Sequence, residues 1–90
     1  MALLQVEVLS VERVALSEEA TLVRVPTLLG EISILPNHEP LVSILAAGTI
    51  EVRTKEGTVR LACGGGFIEV AHNKVAILSD HITPATPVTA

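Results

Sequence analysis

The feature that most constrains this chain is its alternation. Apolar side chains recur at every second position in one segment after another, and no window of ten residues keeps a helical period. Leu4, Val6 and Val8 fall on one side of a first strand, with Gln5 and Glu7 on the other. A short segment from Arg13 to Leu16 follows, and Ser17-Glu18-Glu19 reads as the turn that ends it. Thr21, Val23 and Val25 alternate with Leu22 and Arg24, and Pro26, which has no N–H for a ladder, closes that strand at its rim. Ile50 and Val52 alternate with Glu51 and Arg53. Lys55-Glu56-Gly57 then turns the chain, and Val59, Leu61 and Cys63 alternate with Arg60 and Ala62, making the clearest hairpin. Ile68 and Val70, an Ala71-His72-Asn73 turn, and Val75 with Ile77 complete the series.

Short strands with turns at this spacing predict an all-β domain, a β-sandwich or flattened barrel. At 90 residues there is room for one such domain, placed at residues 1–80, with residues 81–90 as an extended tail carrying Pro84 and Pro87. Nearly half of the residues are hydrophobic, yet Phe67 is the one aromatic, so Val, Ile, Leu and Ala must fill the core. Mean hydropathy of +0.58 is high for so small a domain. Either the core is very tight or an apolar patch is kept for a partner. Leu9, Leu22, Phe67 and Leu78 stand on faces that should be polar and are the candidates for such a patch.

Partner classes narrow quickly. A net charge of −4, six scattered basic residues and no Trp or Tyr argue against nucleic acid. The longest charge-free run, residues 40–50, is far short of the roughly 18–20 apolar residues that span a bilayer. Met1 to Gln5 lacks the basic start and apolar stretch of a secretion signal. A single Cys rules out an internal disulfide and suits a reducing compartment.

Chemistry is equally sparse. Gly64-Gly65-Gly66 leads into a strand with no Lys-Ser or Lys-Thr after it, which favours a bulge or close backbone crossing over a phosphate loop. Cys63 lies on the inward face of its strand with no base nearby in sequence, a small apolar filler rather than a nucleophile. His38, His72 and His81 show no metal-ligand spacing. Paired carboxylates occur only at Glu18-Glu19. The reading is therefore no catalytic residue, no metal and no cofactor, ATP included. Pro36-Asn37 reads as a turn that lifts His38 out of the sheet, giving a rigid polar loop suited to recognition. A free-standing peptide- or carbohydrate-binding sandwich is the competing class, and one Phe is a poor basis for its groove.

The segment Gly30-Glu31-Ile32-Ser33-Ile34-Leu35-Pro36-Asn37-His38-Glu39-Pro40-Leu41 closely resembles a signature of the F-type ATP synthase epsilon subunit, called delta in mitochondria. Gly65 to Val70, Asn73-Lys74-Val75 and Leu78-Ser79-Asp80 resemble that family's second signature, and Val6 to Ser10 its first strand. The resemblance implies a ten-stranded β-sandwich without catalysis of its own. It implies a rotor-stalk role coupling proton or sodium flow to ATP synthesis, on the cytoplasmic face of the membrane. The implied partners are the gamma subunit, the polar loops of the membrane c-ring and, within the whole complex, the alpha/beta catalytic head. By carry-over Glu31, His38 and Glu39 belong to a polar end facing the ring or gamma, and Leu41 and Val42 to the gamma contact. Glu39 departs from the family's usual Ala, and Ala46-Ala47 from a frequent Lys-Pro. Many members continue into a two-helix C-terminal hairpin, whose inhibitory and nucleotide-sensing roles are not carried over to a sequence ending at Ala90.

Overall fold

A computed structural model describes residues 2–84, and among them there is no helix. The strands are β1 (Leu4–Ser10), β2 (Val14–Ala20), β3 (Leu22–Thr27), β4 (Gly30–Ile34), β5 (Leu41–Thr54), β6 (Gly57–Ala71), β7 (Lys74–Ser79) and β8 (Ile82–Pro84). They form one continuous sheet in the order β2-β1-β7-β6-β5-β3-β4, with β8 added to β6. All pairings are antiparallel except β1 with β7.

Two long strands turn this single sheet into a sandwich. The first half of β5 and the second half of β6 lie with β7, β1 and β2, while their other halves lie with β3, β4 and β8. The strands number eight rather than the ten expected, because β5 and β6 each run unbroken through both layers. The inward parity changes at the crossing: Leu45 is buried before it and Ile50 and Val52 after, as are Leu61 and Cys63 before it and Ile68 and Val70 after. Every pair there includes a glycine. Leu45 pairs with Gly66, Ala47 with Gly64 and Gly48 with Cys63. Gly65 and Gly66 have φ of 104° and 138°, and a Cβ on Gly66 would overlap the Leu78 carbonyl oxygen. The triglycine is thus a close backbone crossing, as its lead into a strand predicts.

The inner faces form a core of Val, Ile and Leu, with Leu4, Ile34, Ile50, Ile68 and Ile77 its largest fully buried side chains. Cys63 is buried in it, as expected of a filler. Its Sγ accepts the Gly65 N–H at 3.2 Å beside the Ser79 hydroxyl, which donates to the Gly65 carbonyl.

Two expectations are corrected. Ser17-Glu18-Glu19 is no turn but the middle of β2, with Glu18 opposite Val6 and Glu19 opposite Gln5. At this sheet edge even Glu18, in phase with the buried Val6, stays exposed, so charges fall on both faces of β2 and the polar run mimics a turn. Glu19 also accepts a 2.9 Å hydrogen bond from the Gln5 amide. The tail begins later than residue 81: Ile82 is buried, and β8 pairs with Leu61 to Cys63. Pro84 is tolerated at the end of an edge strand, where no ladder N–H is needed. The rest of the expected tail, residues 85–90, lies outside the described residues.

Candidate functional site

Across the outer face of the first layer runs a row of apolar side chains in register, exposed at every position but the half-buried Leu9. Ile44 on β5 pairs with Phe67 on β6, Phe67 with Leu78 on β7, Leu78 with Leu9 on β1, and Leu9 with Val14 on β2. Four strand spacings make this stripe about 19 Å across. Phe67 is 49% exposed and Ile44 61%. Side chains of this size on one outer face are unusual for a sheet with polar alternatives in the neighbouring row, where Glu7, Glu69 and Ala76 stand.

The stripe is extended at its β5 end by the β3–β4 turn. Thr27 is buried; its hydroxyl donates to the Gly30 carbonyl and accepts the Leu29 N–H at 3.2 Å. That ties the turn tightly and leaves Leu28 and Leu29 outside, Leu29 fully exposed. The Leu28 N–H donates to the Ile44 carbonyl at 3.3 Å, so the two leucines sit beside the stripe. Val42, also exposed, lies two residues from Ile44 on the same side of β5. The second layer presents a different face. There Arg24, Glu51 and Arg60 occupy one register row, with Glu51 bridged to Arg53 at 3.0 Å and to Arg60 at 3.4 Å.

Of the expected patch, Leu9, Phe67 and Leu78 come together, while Leu22 pairs with Arg53 in the other layer. Val14, Ile44, Leu28 and Leu29 lie outside that expectation. Ile44 and Val42 share the even phase of the buried Ile50 and Val52, so alternation alone places them inside, and only the parity change at the crossing turns them out; the β3–β4 leucines resemble core residues until Gly30 closes the turn. Leu41 and Val42 do not act as a pair: consecutive strand residues face opposite ways, and Leu41 packs on the core.

The expected polar residues split. Glu31 stands near the β3–β4 turn, opposite Pro26 and 3.8 Å from Arg24. His38 and Glu39 lie beyond the far end of β4, about 13 Å along the strand. Pro36-Asn37 is a turn, with Asn37 at φ 68°. The His38 Nδ1–H donates to the Glu39 carbonyl at 2.7 Å, which leaves Nε2 free to meet a partner. His72, at φ 52° in the β6–β7 turn, shares this end of the domain. Among the described residues no three His, Cys, Asp or Glu side chains group as metal ligands would.

A two-layer β-domain with an apolar stripe on one face and a polar loop at one end defines a docking module. The family is shown by comparison: the model for the "ATP synthase, Delta/Epsilon chain, beta-sandwich domain" matches residues 3–85, and the chain belongs to that family. It is 42% identical over 77 residues to the ATP synthase epsilon chain of Herpetosiphon aurantiacus, covering 86% of this chain and 57% of the relative. It is 44% identical over 81 residues to that of Desulfitobacterium hafniense, covering 90% and 61%. The chain therefore spans only about three fifths of the length of these relatives. Among solved structures it is similar to a chain of the Euglena gracilis mitochondrial ATP synthase, "OSCP/F1/c-ring in rotational state 1", with TM-score 0.88 and 26% identity over 93% of this chain and 54% of that one. A chain of the Tetrahymena thermophila mitochondrial ATP synthase central stalk and c-ring shares the fold, with TM-score 0.76 and 15% identity over 90% and 66%.

Proposed function

We propose that this chain is a non-catalytic rotor-stalk subunit of an F-type ATP synthase, linking the gamma subunit to the membrane c-ring. Gamma docks on the apolar stripe, with Val42, Leu28 and Leu29 at its margin. The polar residues Glu31, His38 and Glu39 meet the c-ring loops or gamma's polar foot. The subunit would work on the cytoplasmic face of a coupling membrane, beneath the alpha/beta head, as ion flow drives ATP synthesis. The observation that carries this reading is the stripe itself: a solvent-facing apolar row five strands wide in a member of the delta/epsilon family.

Burying a side chain such as Ile or Phe is worth roughly 1.5–3 kcal/mol, so a few of them hold a subunit firmly. Their exposure in the free domain makes them available without disturbing the core. Capture of the purified chain by gamma, with circular dichroism as a folding control, tests the reading. Ile44→Asp combined with Phe67→Ser should leave the β spectrum unchanged and reduce capture by orders of magnitude. Full-strength capture of the folded double variant would overturn the assignment.

A further inference from the structure

Among the described residues, one side chain, that of Asn73, hydrogen-bonds the loop that carries His38, residues 35–40, to the remainder of the domain. Asn37 and Asn73 are 36 positions apart, and both have positive φ, 68° and 60°. The Asn37 N–H donates to Asn73 Oδ1 at 2.5 Å, and Asn73 Nδ2 donates to Asn37 Oδ1 at 3.2 Å. Asn73 is itself anchored, because its carbonyl accepts the Gln5 N–H at 2.8 Å. The other hydrogen bonds recorded for the loop are internal: His38 N–H to the Leu35 carbonyl at 3.2 Å, and the His38 ring to the Glu39 carbonyl. Among the described residues, this reciprocal amide pair alone hydrogen-bonds the loop to another segment.

We propose that Asn73 is a positioning residue for His38, fixing the loop so that the imidazole meets its partner already oriented. This rests on the reading of His38 as a contact with gamma or the c-ring. The role calls for an amide: its oxygen accepts the Asn37 backbone N–H while its NH₂ donates to Oδ1 of the Asn37 side chain. It also calls for a residue that tolerates left-handed backbone, which Asn does. A partner binding a pre-ordered loop is spared the cost of ordering it.

Asn73→Gly removes the side chain and keeps the backbone conformation, so it isolates the clasp. Amide hydrogen exchange in the full chain is the first measurement. At Asn37 and His38 it should quicken about tenfold in Asn73→Gly, the worth of a typical hydrogen bond, with Val75 and Ile77 unchanged. Asn73→Asp, which keeps the acceptor, should restore much of the protection at Asn37. The second measurement is the affinity of the wild type, Asn73→Gly, His38→Ala and the double variant for the gamma–c-ring subcomplex. Each single change should weaken binding, by a few-fold to about tenfold for Asn73→Gly, and the double variant should bind no more weakly than His38→Ala. Unchanged exchange at Asn37 in Asn73→Gly overturns the clasp and leaves the partner reading standing. Full additivity in the double variant overturns the route through His38. If exchange quickens but His38→Ala binds like the wild type, the partner reading at His38 fails and the positioning role falls with it.

Discussion

At the scale of single residues, three glycines in a row carry unequal weight. Gly66 sits where a Cβ would overlap the Leu78 carbonyl oxygen and the Ser79 Cα, at a φ of 138° that side-chain-bearing residues rarely adopt. Gly64 has ordinary φ, and its Cβ would touch His81 Cβ at 3.4 Å, a normal contact. Gly66→Ala should therefore cost more than about 3 kcal/mol, combining backbone strain with overlap against an immovable strand. In thermal denaturation its midpoint should fall by well over about 10 °C, or the chain should fail to fold. Gly64→Ala should shift stability by no more than about 1 kcal/mol. Equal losses at the two positions would refute the close crossing as the reason for Gly66. The sequence announces that something tight happens here, but which glycine bears it depends on where β7 passes.

At the scale of elements, alternation made most strands readable, and it failed where burial did not follow it. β1, β3 and β7 bury every second residue, so their inward faces stand out in the sequence. β2 buries little besides Ala20 and partly Ala15 and Leu16, and its charged outer edge disguised it. β8 is three residues long, too short for any period to register. The start of β5 matters most for docking, because it sets which of two neighbours faces a partner. Leu41 lies on the core side, and Val42 is 68% exposed. Leu41→Asp should destabilise the domain by several kcal/mol through an unpaired, partly buried carboxylate. Val42→Asp should leave the denaturation midpoint nearly unchanged and weaken gamma capture instead. Comparing urea midpoints with capture by gamma separates the two outcomes. If Leu41→Asp folds as stably as Val42→Asp, the assigned facing of β5 is wrong. The candidate site was thus legible residue by residue, as Phe67, Leu78 and the His38 loop. The stripe was not, since it exists only in the register of five strands.

At the scale of the molecule, the layers share their two longest strands. β5 and β6 each run through both layers, and their mutual pairing continues from Thr54 and Gly57 to Leu41 and Val70, with one position unpaired at the crossing. No layer can lose its pairing without fraying strands that the other layer needs. The core is one cluster reaching from Val8 and Ile77 in the first layer to Val25 and Ile50 in the second. A subunit that carries torque between two partners needs this property, because a plane of weakness between docking face and opposite layer would yield under load. Close-packed interiors are barely compressible, and shared strands remove the remaining route for sliding. The expected consequence is a single unfolding transition. Amide exchange under increasing urea should give the same midpoint for Val8 and Ile77 as for Val25 and Val52, and the steep cooperativity of a two-state domain. Ile50→Val, in the second layer, should cost roughly 0.5–1.5 kcal/mol and shift all four amides together. If the Val25 and Val52 amides exchange through a lower-energy opening that leaves Val8 and Ile77 protected, the layers unfold separately. The sandwich could not then be the rigid link that the proposed coupling requires.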